Sequence, residues 1–216
     1  AGEILSEAEF PYPHGVMSKA LPDGTPLEGG HWALVHPQDY WDALVQLIHA
    51  LLLQSQINKA LIKGLSIAAT ACTLVPVDAS LTPLCCLNAF MQEPHAYAKL
   101  WKHHRAEEDA RKMTRIAKER EESFIDAYGG KISSEWVLPK ILEVMREAPE
   151  VFQSTDAFMQ ISDWLDSILT GQMIRGGGIS SFKALYSREN GYPSQDYLAH
   201  VHPLLPDIVK QKLRGK

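Results

Sequence analysis

Between Pro94 and Pro139 two dense polar words flank a charged helical segment of about twenty residues, and the fold has to place both words. The first is Pro94-His95-Ala96-Tyr97-Ala98-Lys99-Leu100-Trp101-Lys102-His103-His104, and the second is Tyr128-Gly129-Gly130-Lys131-Ile132-Ser133-Ser134-Glu135-Trp136. Together they set aromatic rings beside cations, hydroxyls and a carboxylate. An aromatic ring covers the C–H face of a polyol while donors and acceptors take its hydroxyls. Neither word has the spacing of a metal or nucleotide signature, so the residues alone point to a polar small-molecule site.

The 216 residues suffice for one large domain or two small ones. A formal net charge of -5 gives no reason to expect nucleic acid or an anionic membrane as partner. The apolar run from Leu44 to Leu53 is broken by Gln46 and His49 and is too short to span a bilayer. Cys72, Cys85 and Cys86 are an odd number without metal-ligand spacing, which reads as reduced thiols in a cytoplasmic protein. The opening Ala1-Gly2-Glu3 is abrupt, as after removal of a tag or in a chain that begins part-way through a domain, and the closing Leu213-Arg214-Gly215-Lys216 is abrupt as well.

Along the chain, Glu3 to Phe10 reads as an edge strand ended by Pro11 and Pro13. His36-Pro37-Gln38-Asp39 opens a helix carrying Tyr40, Trp41, Leu44, Val45, Leu47, Ile48, Leu51 and Leu52 at helical spacing, with Trp41 as core. Strands are expected at Leu61 to Ile67, Leu74 to Val77 and Leu84 to Leu87. A charged helix from Glu107 to Tyr128 stops at Gly129-Gly130, and another starts at Ser134-Glu135-Trp136. Glu150 to Phe152 reads as a turn, Asp156 to Leu169 as a helix, and the tail after His202 as a short helix. Gly176-Gly177-Gly178 could nest an anion but lacks phosphate-loop spacing, and reads as a loop.

Five words carry a resemblance. Tyr12-Pro13-His14-Gly15-Val16-Met17, His36-Pro37-Gln38-Asp39-Tyr40, Trp101-Lys102-His103-His104, Tyr128 through Trp136, and Lys183-Ala184-Leu185-Tyr186 follow the order found in carbohydrate kinases of the ribulokinase type. The resemblance implies an α/β fold, namely a truncated actin-like ATPase (ribonuclease H-like) domain with additional helices. Residues 1–216 would form a partial N-terminal carbohydrate-kinase domain with a helical insertion at about 94–170. It further implies ATP-dependent phosphorylation of a ketopentose such as L-ribulose in L-arabinose breakdown. ATP and Mg²⁺ are expected of a complete enzyme and not of this chain alone, because no residue here matches the family's catalytic aspartate or its adenine-binding half.

By the same resemblance, Lys183 matches the family's sugar-binding lysine and Ala71 its pocket-lining alanine, with Trp101, Lys102 and His103 as further substrate contacts. Where the family has aspartate-phenylalanine-threonine, this chain has Ala68-Ala69-Thr70. Glu135 and Trp136 are read as holding a helix start, and Asp163 as structural. The alternatives are a non-catalytic kinase relic or interaction subunit, whose open sheet edge a second copy or another chain would cover, and a stand-alone sugar-binding module. A thiol hydrolase using Cys72 lacks a base beside that thiol.

Overall fold

The computed structural model describes residues 2–213, with all their side chains except those of Ile179 and Phe182. Four short strands form one antiparallel sheet: β1 (Leu34–Val35), β2 (Leu74–Val77), β3 (Ala98–Lys99) and β4 (Ala157–Gln160), in the order β1-β3-β2-β4. Leu74 sits opposite both Lys99 and Gln160, which fixes the register across the three neighbouring strands. The helices are α1 (Pro37–Ser55), α2 (Glu107–Glu119), α3 (Val137–Glu147), α4 (Pro149–Ser154), α5 (Ile161–Thr170), α6 (Gly177–Lys183), α7 (Gln195–Val201) and α8 (Leu205–Lys212).

Side chains alternate across a strand, so the sheet divides the core into two layers. Leu34, Leu74 and Phe158 face the larger cluster, with Met113 and Ile116 of α2, Leu138 and Ile141 of α3, Tyr197 of α7 and Ile208 of α8. Val35, Val75, Val77, Ala98, Ala157 and Met159 face the other, where Trp164 and Leu165 of α5 pack with Tyr40, Trp41 and Leu44 of α1. Trp41, expected in the core, is only half-buried and packs against the edge of this cluster.

α1 follows its expected limits. Pro37 occupies the first turn, the His36 ring accepts the Gln38 N–H, and Gln56 ends the helix in a left-handed conformation. α2 is shorter than its charge pattern predicts, because Glu121 turns left-handed at φ 53° and residues Ser123–Tyr128 form a 3-10 segment instead. Gly129 and Gly130, at φ 70° and 73°, then stop that segment, a conformation that strains any residue with a Cβ.

Several expected strands do not form. Glu3 to Phe10 is irregular and mostly exposed, Leu61 to Ile67 is coil after a 3-10 turn at Lys59–Leu61, and Leu84–Cys86 is a 3-10 turn. An apolar run becomes a strand only when another strand supplies its hydrogen bonds, and these runs have none. The partner of β2 is instead β4, whose residues the helical pattern of 156–169 had absorbed, while residues 149–154, read as a turn at their start, are α4. The 94–170 segment therefore contributes β3 and β4 to the sheet as well as helices α2 to α5. No helix among the described residues is long and apolar enough to cross a membrane.

This architecture predicts that amides of residues 61–69 exchange with solvent far faster than those of β2. Trypsin should cut first at the exposed Lys59 and Lys63. Slow exchange throughout 61–69 would mean that a strand forms there after all.

Candidate functional site

The starts of β1 and β2 and the ends of β3 and β4 meet at one end of the sheet, a consequence of the antiparallel register. There Lys140, completely buried in the first turns of α3, points its ammonium at backbone carbonyls. Its Nζ donates to the oxygens of Cys72 at 2.7 Å and Leu100 at 2.8 Å, with the Lys99 oxygen at 3.4 Å. Burial pulls this amine down to about 7, the nearby Cys72 opposing the shift.

Cys72 is held from both of its peptide groups. Its carbonyl takes Lys140, and its N–H donates to Gln160 Oε1 at 2.8 Å. The residue sits at φ 67°, a left-handed conformation costly for a side chain with a Cβ. Two buried polar side chains thus hold a strained corner that presents the neighbouring Ala71. The Cys72 thiol is raised by burial, with the charges of Lys140 and Lys183 countering it.

Lys183 reaches this corner because the chain behind it is tied down at successive points. Ser167 Oγ accepts the Ile174 N–H at 2.9 Å, and Asp163 Oδ1 accepts the Gly176 N–H at 2.9 Å, so the glycines run directly into α6. The structural reading of Asp163 agrees with this contact. Tyr128 donates its hydroxyl to the Ser181 carbonyl at 2.6 Å and meets Trp136 edge-on at 5.2 Å. Lys183 Nζ then lies 6.0 Å from the centre of the Trp136 ring, at the outer limit of a cation–π contact. Glu135, partly exposed beside them, acts electrostatically on both Cys72 and Lys140. The second polar word therefore frames Lys183.

The first polar word folds around one buried carboxylate. Glu143 lies one turn beyond Lys140 on α3. His103 Nε2 stands 3.0 Å from both of its oxygens, Lys99 Nζ at 3.5 Å and Arg105 Nε at 3.5 Å from Oε1. Burial pushes this carboxyl up, but the Lys99 charge and the hydrogen bond from His103 outweigh it and hold the group well below the ordinary range. Burial, reinforced by Lys99, drives His95 down to about 2 and His103 to about 4. Both rings are thus neutral at pH 7. His103 Nδ1 accepts the Ala33 N–H at 3.3 Å, which leaves Nε2–H to donate to Glu143. His95 follows the same logic: Nδ1 accepts from Lys99 at 3.0 Å, and Nε2–H points at Glu147 at 3.2 Å.

The structure brings Ala71 and Lys183 to one corner, through Cys72. Trp101 follows the Leu100 carbonyl that Lys140 holds and is 44% exposed, with Lys102 exposed beside it. His103 is completely buried and both its ring nitrogens are engaged by protein groups, so it supports the corner from behind and has no face toward a ligand. Three residues that build the corner were missed in the sequence: Lys140, Glu143 and Gln160. Their only sequence signal is the placement of Lys140 and Glu143 among the apolar positions of α3, every residue of which from 137 to 144 is buried. A separate cavity of about 400 Å³ is lined by Tyr12, Tyr40, Leu47, Ala69, Thr70 and Leu165 among others, and Ala68-Ala69-Thr70 opens onto it.

The network makes stability depend on pH with a defined sign. An unfolded histidine takes a proton near 6.5, whereas His103 resists until about 4 and His95 until about 2, so the unfolded chain binds protons first. Glu143 acts with the same sign, its contribution being lost as pH falls through the ordinary carboxylate range. The thermal midpoint should therefore drop steadily from pH 6.5 to about 4, and calorimetry across that window would expose the error if the midpoint stayed level. Glu143→Gln leaves Lys99 buried without its counter-charge. We expect a loss of about 3–5 kcal/mol in urea unfolding; a loss near that of a surface mutation would show the network to be dispensable.

The profile of the "FGGY family of carbohydrate kinases, N-terminal domain" matches residues 15–185. The ribulokinase of Bacillus licheniformis is 42% identical over 212 residues, covering 98% of this chain and 38% of that protein. The ribulokinase of Geobacillus thermodenitrificans is 41% identical over 214 residues, covering 99% and 38%. The chain thus spans less than two fifths of the length of these relatives. Among solved structures, the xylulose kinase from Bifidobacterium adolescentis superposes with a TM-score of 0.63 at 14% identity, covering 91% of this chain and 40% of that one. The glycerol kinase of Plasmodium falciparum, solved with ADP, gives 0.60 at 16% identity, covering 84% and 35%. These structures share the fold, the actin-like ATPase fold of sugar kinases, of which this chain carries a partial domain. The chain belongs to the FGGY family of carbohydrate kinases and corresponds to its N-terminal domain.

Proposed function

We propose that this chain is the sugar-binding part of a ribulokinase-like kinase and takes a ketopentose such as L-ribulose, whose primary hydroxyl the complete enzyme phosphorylates. The observation that carries the reading is Lys183, its ammonium beside the strained Ala71–Cys72 corner and over Trp136. Ribulokinase relatives at 42% and 41% identity support the choice of sugar. In this reading Lys183 donates to a sugar hydroxyl, and the small Ala71 leaves room for the carbon chain. Trp101 covers a C–H face, Lys102 is an outer cation, and His103 keeps the Trp101 segment in place from inside. A ligand hydroxyl would replace the water that now solvates the half-buried lysine, so its hydrogen bond gains strength as the site closes. A cytoplasmic setting accords with the three free cysteines.

ATP and Mg²⁺ belong to the complete family enzyme, and the donors gathered here do not suit them. Glu143 is enclosed by Lys99, His103 and Arg105, and Asp163 spends one oxygen on the loop before α6. That leaves Glu135 as the one carboxylate beside the Lys183 corner among the described residues, too few for a magnesium ion that must also meet phosphates. No phosphoryl-transfer step is assigned to residues of this chain; their role is to bind and orient the sugar. A second reading, an interaction subunit, draws on Ile4, Leu5 and Leu53, which are exposed and brought near one another by the Ser6–Gln54 hydrogen bond. Another copy or a further chain would cover them.

Titration calorimetry with L-ribulose tests the sugar reading. The chain should bind saturably, and Lys183→Ala should weaken binding by roughly tenfold to a hundredfold, the range for losing a hydrogen bond to a charged group. Circular dichroism should be unchanged in the variant, since Lys183 is only half-buried. Absence of heat with the parent chain, or equal affinity in both, would overturn the proposal.

A further inference from the structure

At the opposite end of the sheet from Lys140 a second cluster remains that sugar binding does not use. His36 leaves β1 directly and caps α1, while Cys85 and Cys86 lie on the 3-10 turn Leu84–Cys86, beyond the turn that follows β2. One ring nitrogen of His36 and the two sulfurs all lie within 4.8 Å of one another. We propose that His36, Cys85 and Cys86 form a binding site for a single thiophilic d¹⁰ cation, with Zn²⁺ as the ion tested.

The chemistry of the donors selects the ion. One imidazole and two thiolates are the set that Zn²⁺ prefers and that hard cations such as Mg²⁺ and Ca²⁺ reject. Tetrahedral zinc, with bonds of about 2.0–2.3 Å, sets its ligand atoms roughly 3.5–3.8 Å apart. The observed separations need only small side-chain rotations to reach that. The two sulfurs and the ring nitrogen lie within 4.8 Å of one another, so the donors converge rather than point apart. Asp42 adds negative charge near the site, its carboxylate acting electrostatically on both His36 and Cys86.

The surroundings are preorganised. His14 stacks on His36 at 4.7 Å and is itself fixed by Asp39, through its ring at 2.7 Å and its N–H at 3.0 Å. Tyr97 meets the other side of His36 edge-on at 5.5 Å. Two other acid–histidine groups come equally close together, but their ring contacts are spent within the protein: His14 on Asp39, and His95 on Lys99 and Glu147. Among the described residues, only the group of His36, Cys85 and Cys86 offers two sulfurs. Coordination releases two thiol protons to solvent, changes no oxidation state, and costs His36 its 3.3 Å contact with the Gln38 N–H. The bound ion would tie the start of α1 to the 84–86 turn.

Cobalt titration of the reduced chain provides the test, because thiolate-bound Co²⁺ gives a near-ultraviolet charge-transfer band that Zn²⁺ then abolishes. One equivalent should bind, with proton release in a weakly buffered solution and faster exchange of the Gln38 amide. Cys86→Ser and His36→Asn should each weaken binding by at least about tenfold. Asn keeps an acceptor at the helix cap, and residue 86 is only half-buried, so both variants retain the fold by circular dichroism. Cys72→Ser, at the other end of the sheet, should leave the titration unchanged. A parent chain without the band, a band that survives both ligand variants, or one that requires Cys72 would each refute the site.

Discussion

Everything at the working end of this domain depends on one buried cation. Lys140 gives its ammonium to carbonyls at the start of β2 and the end of β3, and so joins two strands that share only one residue pair. Strands of two and four residues have little ladder of their own to hold register. A charge that must find three acceptors in a dry interior supplies what the ladder lacks, because leaving it unpaired is far costlier than keeping the strand ends in place.

Glu143 repeats the device one turn along the same helix face. Its partners come from the Pro94–Arg105 segment and approach from several directions, so a single carboxylate gathers His95, Lys99, His103 and Arg105. The neutral state of both imidazoles follows from the same burial: adding a proton to either would place another cation beside Lys99. Trp32 closes the group, with Arg105 stacked over its ring at 4.3 Å and Lys99 at 5.1 Å. The outcome is a rigid back wall behind a half-exposed surface carrying Trp101, Lys102, Glu135, Trp136 and Lys183.

That division between a rigid interior and a polar surface suits the binding half of a kinase. The ribulokinases that this chain matches are more than twice its length. A left-handed Cys72 clamped by Gln160 and Lys140 illustrates the point, since the strain it stores is offset by buried hydrogen bonds to its own N–H and carbonyl.

The sequence by itself determined the local features that depend on neighbours in the chain. The proline entry to α1, the apolar stripe of Met113, Ile116 and Ala117, the Gly129-Gly130 stop and the β2 run all follow from periodicity, capping and φ preference. The five ordered words carried the family. What depended on pairing across the chain was not legible. Leu61 to Ile67 carries Leu61, Ile62, Leu65 and Ile67 but finds no partner, while Ala157–Gln160 looks helical yet completes the sheet, because strand formation is decided by who supplies the hydrogen bonds. Likewise His103, read as a sugar contact, became a buried support. A polar side chain has the same letter whether it faces solvent or a carboxylate forty residues away, and only tertiary packing chose Glu143 as its partner.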